Sequence, residues 1–502
     1  MPETPPLGDW ATDEFEANAG AVVELISDYF DGIRDRRVTT AIEPGALLEL
    51  LDGPLPEHGE PFERIVEETR AKVLPHLTHW NHPRFHAYFS ISASFAGILA
   101  DMLVSAVDVN AMVWRSAPAA STLETVVMRW IAEMVGYDAG ADGVLVNGAS
   151  LGTFYALCAA RDAVPGIDVR RRGLTAPGTP MLRVYASDQA HSSVDKAVIA
   201  LGVGLDNLVV VPSDERYRMR ADALEELVRR DVDAGLVPMA VVATVGTTST
   251  GAADPLDDVA RVCRRHGAWL HVDAAYGGFW NLVPEIRAVA EDLGIADSVV
   301  VNPHKCLYTP LEVTCLYSAR RGALADTFRL VPEYLRTDAG EGALDYMDFT
   351  LQLGRSFRAL KLWWVIRTFG RAGLVARLRE SVRIAGALRA AVDGHPDFEC
   401  VGESAYPLVC LRLFPRRLRA EVEGATETRR AEIRAEVDEL NARLLRRFND
   451  EGRAFVSHAV VREGYVVRVS IGNIRTTEDD VMESWDALRR IGERVAAPIE
   501  AR

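Results

Sequence analysis

Between about residue 120 and residue 320, short apolar runs rich in β-branched residues alternate with segments whose apolar positions recur every three or four residues. The strand-like runs are Pro180–Ala186, Leu208–Pro212, Met239–Val245, Ala268–Val272 and Ser298–Val301. Between the third and fourth of these runs, Asp254 to Gly267 has a helical period: Leu256, Val259, Val262 and Cys263 share one face, Asp254-Pro255 opens the segment and Gly267 closes it. Such alternation predicts an α/β fold around a largely parallel sheet, with binding loops where several strands end.

The flanks follow other patterns. Residues 1 to about 80 read as helical pieces, with apolar spacing at Val22, Val23, Leu25, Ile26 and Phe30 and a break at Glu43-Pro44-Gly45. After about residue 370 the chain is rich in Arg, Leu and Ala and then yields strands at Leu408–Leu413 and Val466–Ile471, the pattern of a smaller α/β unit. The charged stretch Arg416 to Arg434 reads as a solvated helix or loop. The expected division is a helical segment over 1–90, a large domain over 91–370 and a small domain over 371–502; a chain of 502 residues exceeds what one core organises.

Composition narrows the class. Apolar residues at 48% and charged residues at 25% suit a globular protein, and no apolar run approaches a membrane span. The beginning Met1-Pro-Glu-Thr-Pro-Pro is acidic and polar, unlike a secretory leader, so a cytoplasmic enzyme is expected. With 56 basic against 72 acidic residues, the net charge of −16 argues against nucleic acid as a partner. Six scattered cysteines lack Cys-x-x-Cys spacing, which favours reduced core thiols. His79, His82 and His86 cluster, but Pro83 and the aromatic residues between them do not make a helical metal-ligand face, and no metal is expected.

The candidate chemistry begins with lysine scarcity. Only Lys72, Lys196, Lys305 and Lys361 are present, and of the basic side chains only lysine readily condenses with a carbonyl. Lys305 follows the buried run Ser298–Val301 and the stop Asn302-Pro303, a setting that lowers a lysine's pKa. The run Trp269 to Tyr276 ends on Asp273, an acid that needs a cationic partner when buried, followed by small residues that would admit a flat ligand. Pyridoxal phosphate fits both needs, a lysine for its aldehyde and an acid for its ring nitrogen. The turn Val146–Thr153, with Ala149 and Ser150 opening a helix, suits a phosphate, though it is neither a Walker loop nor a dinucleotide fingerprint. Two further polar loops, Ser187–Ser193 with His191 and Gly246–Gly251 with Thr248, follow strands. The aromatic stretch Thr78–Ser90 suits either a pocket wall or a packed core, and Asn110–Trp114 has the same ambiguity.

Together these segments resemble the pyridoxal-phosphate-dependent group II amino-acid decarboxylases, and the aromatic-L-amino-acid branch most closely. The resemblance runs through Asp28-Tyr-Phe, Glu43-Pro-Gly, Thr78-His-Trp, Ala87-Tyr-Phe, Ser187–Ser193, His271–Tyr276, Asn302-Pro-His-Lys305, Leu353-Gly-Arg-Ser-Phe-Arg358 and Val467-Arg468. It implies a fold-type I homodimer with a mostly parallel seven-stranded sheet. It also implies that Lys305 condenses with the cofactor aldehyde, Asp273 pairs the ring nitrogen, His191 stacks on the ring and Ala275 packs on its other face. Ala149, Ser150 and Asn302 would hold the phosphate, with His304 beside the lysine and Thr248 near the ring. Tyr334, in Val331-Pro-Glu-Tyr-Leu335, matches the family's mobile-loop tyrosine that protonates the substrate carbon after carbon dioxide leaves. The glycine-containing stretch Thr337–Gly342 suits such a lid.

Departures from the family pattern fall where a substrate side chain would sit. Cys306 replaces a usual tryptophan, and Leu311-Glu312 replaces an aromatic-acidic pair. Asn110 and Met112 would reach the neighbouring subunit's pocket, where the family is more apolar and aromatic. Trp80, Tyr88 and Phe89 keep an aromatic wall, and Arg468 completes the expected pocket. The expected activity is decarboxylation of an aromatic L-amino acid to its amine. The alternatives are an oxygen-using variant that forms an aldehyde, or a branched aliphatic or modified substrate. An aminotransferase, an aldolase-like lyase or a cofactor-free paralogue on the same scaffold fits less well, since Lys305, Asp273 and Tyr334 are all present.

Overall fold

Seven strands form the central sheet of the computed structural model, which describes residues 8–330 and 343–500. They are β1 (Asp142–Val146), β2 (Leu182–Ser187), β3 (Leu208–Val211), β4 (Val237–Thr244), β5 (Trp269–Asp273), β6 (Ser298–Val301) and β7 (Thr314–Ser318). Their spatial order is β1-β7-β6-β5-β4-β2-β3. The pairs β2–β3, β2–β4, β4–β5 and β5–β6 are parallel, and β7 runs against both of its neighbours. All five strand runs predicted between 180 and 301 are present to within two residues, whereas β1 and β7 were not foreseen.

The sheet is buried on both faces, and the two-residue period of a strand divides its side chains between two cores. In β4, Val241 and Ala243 enter one core while Met239, Ala240 and Val242 enter the other. The helix Leu256–His266 packs Leu256, Val259, Ala260, Val262 and Cys263 on the first side; the helix Ala149–Asp162 packs Tyr155 to Ala160 on the second. Gly152 allows that second contact, because a Cβ there would lie 2.7 Å from Val300 Cγ2. The predicted helix differs at its start. It begins at Leu256, and Asp254 is instead a fully buried carboxylate that accepts from the Met219 and Thr244 backbone N–H groups at 2.6 and 2.8 Å.

A second, antiparallel sheet contains β8 (Phe398–Cys400), β9 (Leu408–Leu413), β10 (Ser457–Val461) and β11 (Gly464–Ser470), in the order β10-β11-β9-β8. The helix Ala359–Asp393 serves both cores: Leu362, Leu374 and Leu378 join the first, and Ile384, Leu388 and Val392 join the core over the second sheet. It breaks at Gly370, whose φ of 59° and ψ of 167° lie outside helical geometry. Arg416 to Arg434 is helical over Arg416–Val422 and from Glu427 onward, with Leu418 and Ile433 buried. Near the amino terminus lie the helices Thr12–Asp31, Pro44–Leu51 and Phe62–Glu68. Glu43-Pro44-Gly45, expected to break structure, starts a helix with proline in its first turn. These helices bury few of their own apolar residues, and Phe95, Leu99, Met102, Leu103 and Val107 on the helix Phe95–Val107 are also exposed.

Candidate active site

Because β7 alone is reversed, the carboxyl ends of β1, β2, β4, β5 and β6 share one edge of the sheet. The loops leaving that edge enclose a cavity of about 270 Å³. Ala149, Ser150, His191, Thr248, Asp273, Ala275, Asn302, His304 and Lys305 line it, so nine residues dispersed over more than 150 positions converge. Phe89 lines it too; Gly148, Thr244, Gly246 and Tyr276 complete it and were not singled out from sequence. Gly246 has φ 88°, and a Cβ there would stand 2.9 Å from the Gly277 nitrogen, so glycine lets the two loops meet beside the cavity.

At one end, the helix Ala149–Asp162 starts after Gly148, at φ 87°, with no side-chain cap. Its first N–H groups and the helix dipole favour an anion. Asn302 Oδ1 accepts from Thr314 Oγ1 at 2.7 Å, leaving its amide NH₂ without a protein acceptor among the described residues. At the other end Asp273 Oδ1 accepts from the Ala275 N–H at 3.0 Å, while Oδ2 has no donor among the described residues. His191 Nδ1 accepts from the Ser193 N–H at 3.1 Å, which leaves Nε2 as the protonated nitrogen of the neutral ring. Burial lowers the His191 pKa, opposed by Asp273.

Lys305 emerges from a short helical turn, Pro303–Cys306, held by its own N–H to Asn302 O at 3.0 Å. Its Nζ lies 4.7 Å from the Phe89 ring centroid. Burial lowers its pKa, with Asp273 acting in the opposite direction, so the neutral amine needed for condensation is more accessible than in an ordinary lysine. The Phe89 ring is stacked on Tyr276, with centroids 3.8 Å apart and planes at 16°. His304 donates Nδ1–H to Val313 O at 2.6 Å, and burial lowers its pKa to about 4, so it is neutral at physiological pH.

The other expected pocket residues lie elsewhere. Trp80 and Tyr88 stack on each other, partly exposed, beside Phe85 and Phe455. His79, His82, Phe85, His86 and Ala87 are buried, so the aromatic stretch serves as core and wall at once. Asn110 is bonded to the Arg355 N–H at 3.0 Å, the Met112 carbonyl accepts from Met347 N, and Leu311 is exposed. Arg468 lies behind the wall: it donates to Ser249 O, Ser457 Oγ and Tyr88 O, with its Cζ 5.5 Å from the Phe89 centroid. That placement braces Tyr88, whose φ of 53° is unusual for a side chain of its size. Tyr334 and the stretch Thr337–Gly342 lie outside the described residues.

The cavity suits pyridoxal phosphate: an uncapped helix start and a spare amide at one end, an unpaired carboxylate oxygen at the other, and a lysine of lowered pKa between them. Comparisons with known proteins agree. Residues 44–414 match the model of the pyridoxal-dependent decarboxylase conserved domain. The chain is 35% identical to aromatic-L-amino-acid decarboxylase of Sus scrofa, over 97% of this chain and 98% of that one. It is 34% identical to phenylacetaldehyde synthase of a Rosa hybrid cultivar, over 95% and 93%. A solved structure of Oryza sativa TDC with PLP and tryptamine superposes with a TM-score of 0.90 at 34% identity, covering 97% of this chain and 99% of that one. On its fold, its cavity and this match, the chain belongs to the pyridoxal-phosphate-dependent group II decarboxylases, lyases of fold type I that act on amino acids.

Proposed function

We propose that this enzyme removes the carboxyl group of an aromatic L-amino acid and releases the amine. The observation that carries this reading is the position of the Phe89–Tyr276 stack, which forms a flat apolar wall within reach of Lys305 Nζ. Aromatic rings gain from offset or edge contacts with such a wall, about 0.5–1.5 kcal/mol beyond burial. Relatives that include an aromatic-L-amino-acid decarboxylase and a tryptophan decarboxylase support the same class.

Pyridoxal phosphate, when bound, supplies the electron sink for the bonding pair left by carbon dioxide. In our reading, Lys305 would provide the amine that holds its aldehyde. Asp273 Oδ2 would keep the ring nitrogen protonated, His191 and Ala275 would flank the ring, and Thr248 and His304 would border it. Asn302 and the backbone of Ala149 and Ser150 would take the phosphate. Tyr334 delivers a proton to the substrate carbon. A tyrosine there favours amine over aldehyde; the aldehyde product is the second reading, motivated by the relatives described as phenylacetaldehyde synthases.

We also infer that the enzyme works as a homodimer. The exposed apolar surface shared by the helices Thr12–Asp31 and Phe95–Val107, around Phe15, Val23, Leu99 and Met102, is larger than scattered surface residues account for. Sedimentation should give twice the 55.1 kDa chain mass; a monomer at micromolar concentration contradicts this. We place the enzyme in the cytoplasm, on six unpaired thiols; fractionation showing it outside the cell would refute that. Among the described residues, no helix is long and apolar enough to cross a membrane. The substrate class is tested by quantifying amine from a panel of L-amino acids. Aromatic acids should exceed aliphatic and acidic ones in kcat/KM by at least about tenfold, or roughly 1.4 kcal/mol. Preference for a branched aliphatic or acidic substrate would refute the proposal.

A further inference from the structure

The run Leu353–Arg358 contributes nothing to the cofactor cavity, yet its two arginines are buried, with Arg355 3% and Arg358 7% exposed. Arg355 Nη2 donates to Glu124 Oε1 at 2.5 Å, and the same oxygen accepts from the Leu145 N–H at 2.8 Å. Glu124 is the single carboxylate in ion-pair contact with either arginine among the described residues. Glu312 acts on Arg358 from farther away and on an exposed segment. Burial first, and then Arg355, lower the proton affinity of Arg358.

Around this surplus of positive charge lie donors with nothing to donate to. Arg355 Nε and Nη1, Arg358 Nη1 and Ser121 Oγ are fully buried and have no hydrogen-bond partner among the described residues. Ser121 stands one turn before Glu124 on the same face of the helix Pro118–Val135. The Tyr346 ring, with its centroid 5.3 Å from Arg355 Cζ, and the buried Tyr155 enclose the group. Unpaired buried donors are costly, and an uncompensated buried charge is more so. A water molecule could accept from two donors, but it would bring two donors of its own and leave the charge unchanged. A small anion accepts from several and cancels the charge. These four donor atoms are closed to solvent, and a monatomic halide would need less room among them than a phosphate.

We propose that Arg355, Arg358 and Ser121 form an internal binding site for a small monovalent anion of chloride's size. The site is separate from the cofactor cavity and does not depend on the decarboxylase reading. It is connected to the Asn110–Met112 segment, because the Arg355 N–H donates to Asn110 Oδ1 at 3.0 Å and its carbonyl accepts from the Ala111 N–H at 2.8 Å. An occupied site would therefore stiffen that segment.

Two measurements on the holoenzyme test it. Crystals soaked in sodium bromide should give an anomalous peak within hydrogen-bond distance of the Arg355 and Arg358 guanidinium groups. At fixed ionic strength, the melting temperature should rise with chloride or bromide concentration when gluconate, too large to enter, is the replaced ion. Arg358→Met should abolish that halide dependence. If this variant does not fold, Ser121→Ala should shift the dependence to higher halide concentration. Absence of the bromide peak, density for water or for a partner-subunit carbonyl at the donors, or equal melting in halide and gluconate would overturn the proposal.

Discussion

Lys305 was legible because lysine is rare in this chain and because one follows a strand that must be buried; Asp273 was legible as an acid at the end of another such strand. The structure brings both to one cavity and lowers the lysine's pKa through burial. Borohydride reduction of the holoenzyme should therefore fix the cofactor on the peptide carrying Lys305, and Lys305→Ala should abolish both that adduct and the visible absorbance. An adduct on Lys72, Lys196 or Lys361 would contradict the assignment. Tyr334 was singled out by resemblance alone. Tyr334→Phe should retain cofactor binding and carbon dioxide release while losing most amine formation, with oxygen uptake and aldehyde in its place. Amine at the wild-type rate without oxygen uptake would show that Tyr334 is not the proton donor. The bracing role of Arg468 was not legible, since its three acceptors lie 11 to 380 residues away in sequence and nothing local marks them.

At the scale of elements, the central parallel strands were readable because burial on both faces demands continuous β-branched runs. The strand β1 is short and opens with the polar Asp142-Gly143, and β7 follows an irregular, mostly apolar segment interrupted by Pro310, so neither stands out by composition. The loop contacts at the strand ends were hidden too, because they depend on what crosses above a glycine. Gly246 is the clearest instance, combining φ 88° with a Cβ position 2.9 Å from the Gly277 nitrogen. Gly246→Ala should cost about 1–3 kcal/mol of stability through strain and crowding. It should also weaken cofactor binding, since Gly246 and Thr248 both line the cavity. Cofactor titration followed by visible absorbance, beside a thermal melt, checks both; unchanged affinity would mean that the loop tolerates the displacement.

For the whole molecule, acid sensitivity follows from buried imidazoles. Burial lowers His82, His86, His271 and His304 to about 4. The unfolded chain binds protons at these sites first, so their contribution is full above about pH 6.5 and is lost as pH falls toward 4, by up to about 3 kcal/mol each. Asp254, raised to about 7, with Asp101 and Glu291 raised less, opposes this over the same range. Four imidazoles outweigh them, and the melting temperature should drop between pH 6.5 and 4. His86→Phe should flatten that drop; an unchanged slope would mean that His86 does not titrate with unfolding. Decarboxylation of an aromatic amino acid to its amine is checked by following carbon dioxide, amine and oxygen together while the wild-type holoenzyme acts under air on tryptophan, phenylalanine, tyrosine and dihydroxyphenylalanine. At least one of these amino acids should yield carbon dioxide and amine in equal amounts with no oxygen consumed; carbon dioxide from none of them, or aldehyde and hydrogen peroxide in place of amine, would refute the proposed activity.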